Sequence, residues 1–347
     1  MTGRVGATVG GRYRLTRLLG EGAAGTVWRA EGQLFGTVAL KILRAELAQD
    51  PVVVERFVAE ARAASTIAHP NVVKVFDLGR DAGVPFMVME LCDGETLAGV
   101  VSHRGAVGVA YACELVGQVL SALEVAHGLG IVHRDLKPGN VMVVHPEPDR
   151  PLIKVLDFGI AKSVHESEEE DERGVFGTPS YMAPEQIAGG VVDARSDLYS
   201  VGALLYELLT GRPPFRGATP AEVMTAVVSR PPKPLRAYDR SMPKALDALV
   251  RRCLSKNPDR RPATARALAQ ELAAFSDTPP GSVPPDRISH APVPLVGRAS
   301  ALPPEPVVEP EPALPLVPKS KKRPVAPSPE RPRLELVGDE LDEPAEG

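Results

Sequence analysis

Aromatic residues are scarce in this chain of 347 residues, at 4% of the composition against 44% for all hydrophobic types. A core of this composition must be mainly aliphatic, and the length allows one large or two smaller domains. The only cysteines, Cys92, Cys113 and Cys253, are too few and too scattered for a disulfide framework or a zinc cluster. Their scarcity fits a reducing compartment.

The sequence also has little that suggests a membrane or a nucleic acid. Its N-terminal residues lack the apolar stretch of a signal peptide. No run of about 18 apolar residues predicts a membrane span, and the longest candidate, residues 201–209, contains Glu207. The 40 Lys+Arg are balanced by 44 Asp+Glu, whereas nucleic-acid-binding domains usually carry a basic excess. We expect a cytoplasmic protein without a transmembrane span and without a nucleic-acid partner.

Prolines mark the main boundary in the chain. Half of the 36 prolines lie in residues 277–347, which contain no Phe, Tyr, Trp or Cys. Such a segment cannot bury enough apolar surface to fold, so we expect a Pro-rich disordered tail. Its stretch at 303–318 could form polyproline II segments that dock a partner, with a passive linker as the alternative. Residues 1–11 are expected to be a loose start.

The central segment, residues 12–276, has two parts that differ in predicted secondary structure. Strand patterns, one of them predicted over 72–78, and one helix, predicted over 51–67, occupy residues 12–92, and after Gly94 the pattern is mainly helical. This order predicts an α+β domain with a small β-rich lobe at about 12–92 and a larger helical lobe at about 93–276. No internal repeat is present.

A glycine-rich turn and a lysine carry the first chemical signal. Gly20, Gly22 and Gly25 form a G-x-G-x-x-G pattern that is followed by strand-like residues, not by the helix of a dinucleotide site. By itself this is equally well an ordinary hairpin. Lys41, however, interrupts the apolar strand VALKIL, where it either faces solvent or binds an anion. Backbone amides over phosphates with one lysine on them would form a nucleotide clamp.

Three further motifs follow in order: HRDLKPGN at 133–140, DFG at 157–159 and APE at 183–185. Together with the glycine turn and Lys41, they resemble the eukaryotic-like protein kinases, in the serine/threonine branch of bacterial type. The resemblance covers about residues 12–275 and implies the bilobal kinase fold. It also implies transfer of the γ-phosphate of Mg-ATP to Ser/Thr hydroxyls of proteins in bacterial signal transduction, with autophosphorylation.

The resemblance assigns roles to individual residues. Asp135 would accept the proton of the substrate hydroxyl, and Lys137 would offset charge on the transferred phosphate. Lys41 would hold the ATP phosphates, paired with Glu60 on the predicted helix; Glu55 is the alternative partner, on another face. Asn140 and Asp157 would bind Mg²⁺, with Mn²⁺ as a substitute.

The same resemblance implies an adenine pocket and several structural links. The residues expected around the nucleotide are Leu19, Gly20, Gly22, Gly25, Val27, Ala39, Met89, Glu90, Cys92 and Met142. Plain core packing is a compatible reading for the apolar members. Asp197 would bind the catalytic-loop backbone, Glu185 would pair with Arg261, and His133 and Phe158 would stack. Ala64 is smaller than the family's usual residue, which either loosens the helix or leaves a gap for a neighbour to fill.

The segment between DFG and APE is unusually acidic. Relatives often carry phosphoacceptor threonines where this chain has Glu170 and Glu172, within a run of six acids over 166–172. In relatives, the counterpart of Arg134 would bind the negative charge of the phosphorylated threonine. We hypothesise that the six acids supply this charge here, in place of a phosphoryl group of about −1.5 to −2 charge. A solvated loop is the competing reading. Thr178 is expected to contact Asp135, and Ser163 and Ser167 are possible autophosphorylation sites.

Two other functions were weighed against a protein kinase. A small-molecule phosphotransferase does not need the GTPSYMAPE segment, which builds a peptide platform. A non-catalytic scaffold usually has lost the lysine, the catalytic aspartate or a metal ligand, and all are present here. The sequence leaves open the substrates, the upstream signal and whether the chain forms a homodimer.

Overall fold

The N-terminal lobe is an antiparallel sheet with one helix. The computed structural model describes residues 3–147, 150–158 and 179–276. Within them, six strands pair in the order β1-β2-β3-β4-β6-β5. Their bounds are β1 (Thr8–Val9), β2 (Tyr13–Glu21), β3 (Gly25–Gly32), β4 (Gly36–Leu43), β5 (Val75–Asp81) and β6 (Val84–Glu90).

The loose start expected over residues 1–11 is wrong for its second half. Val9 is buried, and β1 pairs with the start of β2. Gly10 and Gly11 join the two strands with φ values of 57° and 67°. Two successive residues of positive φ fit the type I′ hairpin turn, which glycine adopts without a steric penalty.

Helix α1 (Pro51–Thr66) packs against this sheet and carries Glu60. Asp50 begins it by accepting a hydrogen bond from Val52 N at 2.8 Å, and Pro51 occupies its first turn. Such a start satisfies an amide that would otherwise lack a partner, and the missing N–H of proline costs nothing there. The buried face, formed by Val54, Phe57, Ala61 and Ala64, fixes which side chains point at the sheet.

The connection from α1 to β5 differs from the sequence prediction, which placed a strand at 72–78. The strand begins at Val75 because the preceding residues pair with the other lobe. Val73 N donates to Val155 O at 3.0 Å, and Val155 N donates to Asn71 O at 2.8 Å. These bonds join the N-terminal lobe to the strand that leads into Asp157.

The C-terminal lobe is helical, with a small sheet facing the N-terminal lobe. Its helices are α2 (Leu97–Arg104), α3 (Val109–Gly128), α4 (Pro184–Ile187), α5 (Ala194–Thr210), α6 (Pro220–Ser229), α7 (Lys244–Cys253) and α8 (Ala265–Ser276). The sheet has the order β7-β8-β9, formed by β7 (Gly94–Thr96), β8 (Val141–Glu147) and β9 (Arg150–Val155). The described lobes therefore match the predicted α+β arrangement.

Helix α3 has the length and apolar composition of a membrane span, although the sequence analysis expected no such run. Nine of its 20 residues are buried, and it packs against α5 and α8. Burial in the core of the lobe accounts for its composition.

Candidate active site

Lys41 lies between two carboxylates. Its Nζ is 3.0 Å from Glu60 Oε1 and 3.0 Å from Asp157 Oδ1. Lys41 comes from the middle of β4, Glu60 from α1 and Asp157 from the end of β9, so three separate segments meet at one ammonium. Of the two glutamates that the sequence offered, the structure brings Glu60 to the lysine.

The ion pairs decide the charge state of this cluster. Burial by itself lowers the pKa of Lys41, but Asp157 and Glu60 outweigh it and raise the pKa above its ordinary value. For Asp157, burial acts to raise the pKa, yet the Lys41 ammonium dominates and lowers it. Both groups are therefore ionised at neutral pH, and each stabilises the charge of the other.

The glycine turn lies next to β4 because β3, which follows the turn, pairs with β4. In this pairing Val27 lies opposite Lys41. A Cβ atom at Gly25 would lie 2.0 Å from the carbonyl oxygen of Ile42, so only glycine allows this approach. Gly22 N donates to Gly25 O at 2.9 Å and closes the turn. Leu19 and Gly20 lie at the end of β2, on the opposite side of the turn.

An apolar cluster lies below the turn. Ala39 and Met89 face each other across β4 and β6 and are buried together with Val73. Four partly buried residues pack against them: Val27, Leu91, Cys92 and Leu156. The structure thus brings together Val27, Ala39, Met89 and Cys92 of the expected adenine pocket. Met142 lies on β8, opposite Thr96 and Lys154.

The thiol of Cys92 is poorly suited to nucleophilic chemistry. Burial, with a further contribution from Glu90, raises its pKa to about 11. A thiol rather than a thiolate is present at neutral pH. The protonated thiol is consistent with a packing role for Cys92 at the connection between the lobes.

The carboxylate of Asp135 is held by its two polar neighbours in the same loop. Lys137 Nζ lies 3.1 Å from Asp135 Oδ2, and Asn140 Nδ2 donates to that oxygen at 2.8 Å. Asn140 Nδ2 also donates to the main-chain oxygen of Asp135 at 2.8 Å. The amide group of Asn140 therefore fixes the loop, while its oxygen is the atom with which it can bind a cation.

The loop around Asp135 is anchored to α5 through Asp197, a fully buried carboxylate. Its oxygens accept hydrogen bonds from His133 N at 2.8 Å and Arg134 N at 2.9 Å. Arg134 has a φ of 65°, a conformation that a non-glycine residue keeps only when its surroundings hold it. Asp197, together with Gln186 Nε2, which donates to Arg134 O at 2.8 Å, supplies that support.

His133 links this loop to the strand before Asp157. Burial lowers its pKa, so the ring is neutral, and its Nε2 lies 3.0 Å from Leu156 O. A carbonyl can only accept, which assigns the proton to Nε2. The ring also lies 4.6 Å, centroid to centroid, from Phe158.

Comparison with known proteins gives the family. The model of the protein kinase domain matches residues 13–273. The chain belongs to the protein kinase family. The serine/threonine-protein kinase PksC of Streptomyces coelicolor is 40% identical over 325 residues, covering 88% of this chain and 58% of that protein. PknB of Mycobacterium tuberculosis is 40% identical, covering 79% of this chain and 44% of PknB.

A solved kinase domain confirms the fold. The crystal structure of the Mycobacterium tuberculosis PknI kinase domain is 29% identical and has a TM-score of 0.63, covering 79% of this chain and all of that domain. These relatives place the chain among bacterial serine/threonine protein kinases, a family that uses ATP and a divalent metal ion. The chain spans little more than half the length of PksC and less than half of PknB.

Ala64 leaves a small gap in the kinase core. It is buried near Phe158, and a small cavity lies between α1 and β6, lined by residues that include Ala64, Val75, Met89 and Phe158. The neighbours therefore do not completely fill the space that a larger side chain would occupy.

Glu185 and Arg261 form a buried ion pair below the site. The two distances are 2.6 Å from Oε1 to Nη1 and 2.7 Å from Oε2 to Nη2, and the Arg261 side chain is completely buried. Ser196 Oγ also donates to Glu185 Oε1 at 2.6 Å. The pair holds α4 to the segment that precedes α8.

Several predicted regulatory residues lie outside the described residues. These are Ser163, Ser167, Glu170, Glu172 and Thr178, together with the rest of the acidic run and the Pro-rich tail. Of the regulatory set, Arg134 is described, at the anchored loop.

Sequence reasoning missed three contributors to the site. Leu156 packs against the apolar cluster of Ala39, Val73 and Met89, and its position directly before DFG could have identified it. Lys154 pairs with Glu90 across the two lobes. Arg44 contacts the glycine turn from the end of β4. Neither of the two basic residues belongs to a motif, so only the tertiary structure reveals them.

Proposed function

We propose that this chain transfers the γ-phosphoryl group of Mg-ATP to serine or threonine hydroxyls of proteins. The observation that supports it best is the presence of two carboxylates, each paired with a lysine. Asp157 lies 3.0 Å from Lys41, and Asp135 lies 3.1 Å from Lys137. Phosphoryl transfer needs positioned phosphates, neutralised charge and a proton acceptor, and these two centres supply groups for each task.

In this proposal Asp135 orients the substrate hydroxyl and accepts its proton. Its hydrogen bond from Asn140 and its ion pair with Lys137 fix the direction of the carboxylate. Lys137 is close enough to offset charge on the phosphoryl group during transfer. Lys41, held by Glu60, positions the phosphates of the nucleotide.

The residues for a divalent metal ion fit the family's use of one. Asn140 and Asp157 offer an amide and a carboxylate oxygen, the hard donors that Mg²⁺ prefers, and Mn²⁺ is a reasonable substitute. The ion would neutralise charge on the nucleotide phosphates. The adenine ring would be enclosed by the apolar side chains of Val27, Ala39, Met89, Leu156 and Cys92. Its hydrogen-bond partners would be backbone groups of Glu90 and Cys92.

The cellular setting follows from the relatives' names and the sequence. We propose signalling in the cytoplasm of a bacterium, with autophosphorylation. The same proposal includes three kinds of partner. They are protein substrates, a second copy of the chain in a homodimer, and a protein that docks on the Pro-rich tail. They need direct tests, since the chain covers about half of the relatives it matches.

Transfer of labelled γ-phosphate tests the proposed activity. Purified protein with Mg-ATP should label itself or a generic protein on Ser/Thr, and mass spectrometry should map the sites. Asp135→Asn should lower the rate about 10²- to 10⁴-fold, the usual contribution of a proton acceptor. It should leave ATP binding in place, because the nucleotide contacts lie at Lys41 and Asp157. Full activity of the Asn variant would contradict the role of Asp135.

The acidic run provides a separate test of regulation. If it replaces phosphorylation, changing its six acids to Asn or Gln should lower turnover of the unphosphorylated protein. Unchanged turnover would instead leave the run as a solvated loop.

A further inference from the structure

Arg44, the residue after β4, contacts the tip of the glycine turn. Its Nε and Nη2 donate to the carbonyl oxygen of Gly22 at 3.1 and 2.9 Å. Its Nη2 also lies 3.0 Å from Glu21 Oε1, and its main-chain N donates to Ala24 O at 3.0 Å. One residue thus contacts three residues of the turn: Glu21, Gly22 and Ala24.

This contact fixes the direction of a peptide group. In a trans peptide the C=O and the N–H point in opposite directions. Because the carbonyl of Gly22 points at the guanidinium of Arg44, the N–H of Ala23 points away from it. In a kinase the backbone of the glycine turn covers the phosphates of ATP, so the direction of these amides matters for nucleotide binding.

Two features separate this contact from ordinary stabilisation of the fold. The side chains of Arg44 and Glu21 are 40% and 57% exposed, and such surface ion pairs contribute little to stability. The glycine residues of the turn, at 20, 22 and 25, allow it many conformations, so it loses conformational entropy when it becomes ordered around a ligand. A planar, two-donor contact reduces that loss before the ligand arrives.

We propose that Arg44 is a positioning residue that holds the glycine turn in the conformation that receives the phosphates of ATP. The proposal rests on the proposed kinase function and adds a residue outside the family's motifs. Its effect should depend on the phosphates, because the adenine cluster of Ala39, Met89 and Cys92 has no contact with Arg44 among those described.

Calorimetric titration of the whole chain with Mg-ATP and, separately, with adenosine tests this role. Arg44→Ala should weaken Mg-ATP binding about 3- to 10-fold, the net value of a typical hydrogen bond, and leave adenosine binding unchanged. In turnover assays the loss should appear mainly as a higher KM for ATP.

Arg14→Ala is the matched control. Arg14 forms an exposed ion pair with Glu31, 2.6 Å apart, at the opposite end of the same β2–β3 hairpin, so its loss should change neither affinity. Glu21→Gln removes the ion pair but keeps both bonds to Gly22, and should have the smaller effect. Arg44→Lys keeps the charge without the planar fork, and should recover less than half of the lost binding energy.

Three results would overturn the positioning role. They are equal ATP affinity of the Arg44→Ala and Arg14→Ala proteins, an equal loss for ATP and adenosine, and wild-type affinity of Arg44→Lys, which would indicate simple charge attraction. A wild-type protein that binds adenosine and ATP but transfers no phosphate would overturn the proposed function and leave the role of Arg44 intact.

Discussion

The ammonium of Lys154 lies 2.8 Å from Oε1 and 2.9 Å from Oε2 of Glu90. Glu90 ends β6 at the connection between the lobes, and Lys154 lies on β9, three residues before Asp157. The carboxylate also accepts a hydrogen bond from Lys74 N at 3.3 Å. This pair therefore joins the expected adenine-binding backbone to the strand that leads into Asp157, the proposed metal ligand.

Lys154→Met should destabilise the protein, because it removes the cation that pairs with the mostly buried carboxylate of Glu90. The side chain of Lys154 is 7% exposed and that of Glu90 is 28% exposed. Breaking a buried pair usually costs about 3–5 kcal/mol, and the partial access of Glu90 to solvent should reduce this to about 2–3 kcal/mol. Urea unfolding measures the change. The Lys154→Met, Glu90→Gln double variant should regain part of it, and an equally unstable double variant would contradict this account.

Asp197→Asn should damage the catalytic loop. An asparagine has one acceptor oxygen, so its NH₂ group would face the N–H of either His133 or Arg134. We expect a loss of about 2 kcal/mol in unfolding free energy and a fall of about 10- to 100-fold in kcat as Asp135 moves. ATP affinity should change little.

Asp193→Asn serves as the control for that experiment. Asp193 begins the same helix by accepting from Arg195 N at 2.8 Å, but it does not bind the loop. The variant loses the partly exposed ion pair with Arg195 but keeps an acceptor for the start of the helix, so stability should fall only slightly while kcat stays near the wild-type value. If both variants lose the same kcat, the anchoring role of Asp197 is wrong.

The Glu185–Arg261 pair should make stability fall in acid. Burial by itself raises the pKa of Glu185, but bonds from Arg261 and Ser196 outweigh it and lower the pKa below 4.5. A depressed folded-state pKa gives stability that is present above pH 4.5 and lost as the pH falls through the folded value. Arg261→Met should cost about 3–5 kcal/mol at pH 7.

Unfolding free energies from pH 7 to pH 3 measure this contribution. The Glu185→Gln, Arg261→Met double variant should show a shallower acid slope than the wild type, because it lacks the titrating carboxylate. An unchanged slope would place the acid sensitivity elsewhere in the chain.

Glu207→Gln should not destabilise the protein at neutral pH, although Glu207 accepts a hydrogen bond from Tyr181. Burial raises the pKa of Glu207, with the Tyr181 bond opposing part of that rise. A raised folded-state pKa means that ionisation costs stability above it. Glutamine keeps the acceptor without the charge, so unfolding at pH 7 should require equal or more free energy than in the wild type. The difference should close by pH 4, and a marked loss at pH 7 would show that the charge itself is needed.

The motifs made the centre of the site predictable. Local spacing placed Asp135, Lys137 and Asn140 in one loop, where the last follows the first by five positions. The partner of Lys41 needed the helix face as well as the motif, since Glu55 and Glu60 lie on the same helix. The start of β5 was misplaced because Val72 and Val73 have strand-like side chains but pair with the other lobe, a contact that no local pattern encodes.

Sequence by itself determined the family, the two-lobe order and the proposed catalytic groups, because phosphoryl transfer requires particular residue types at short, fixed spacings. The tertiary structure decided which side chains from distant segments meet. Glu90 and Lys154 are 64 residues apart, and Arg261 lies 76 residues from Glu185. Only tertiary packing, between the lobes for the first pair and within the C-terminal lobe for the second, brings such pairs within bonding distance, and neither Arg44 nor Lys154 carries a local signal that distinguishes it from a solvent-facing cation.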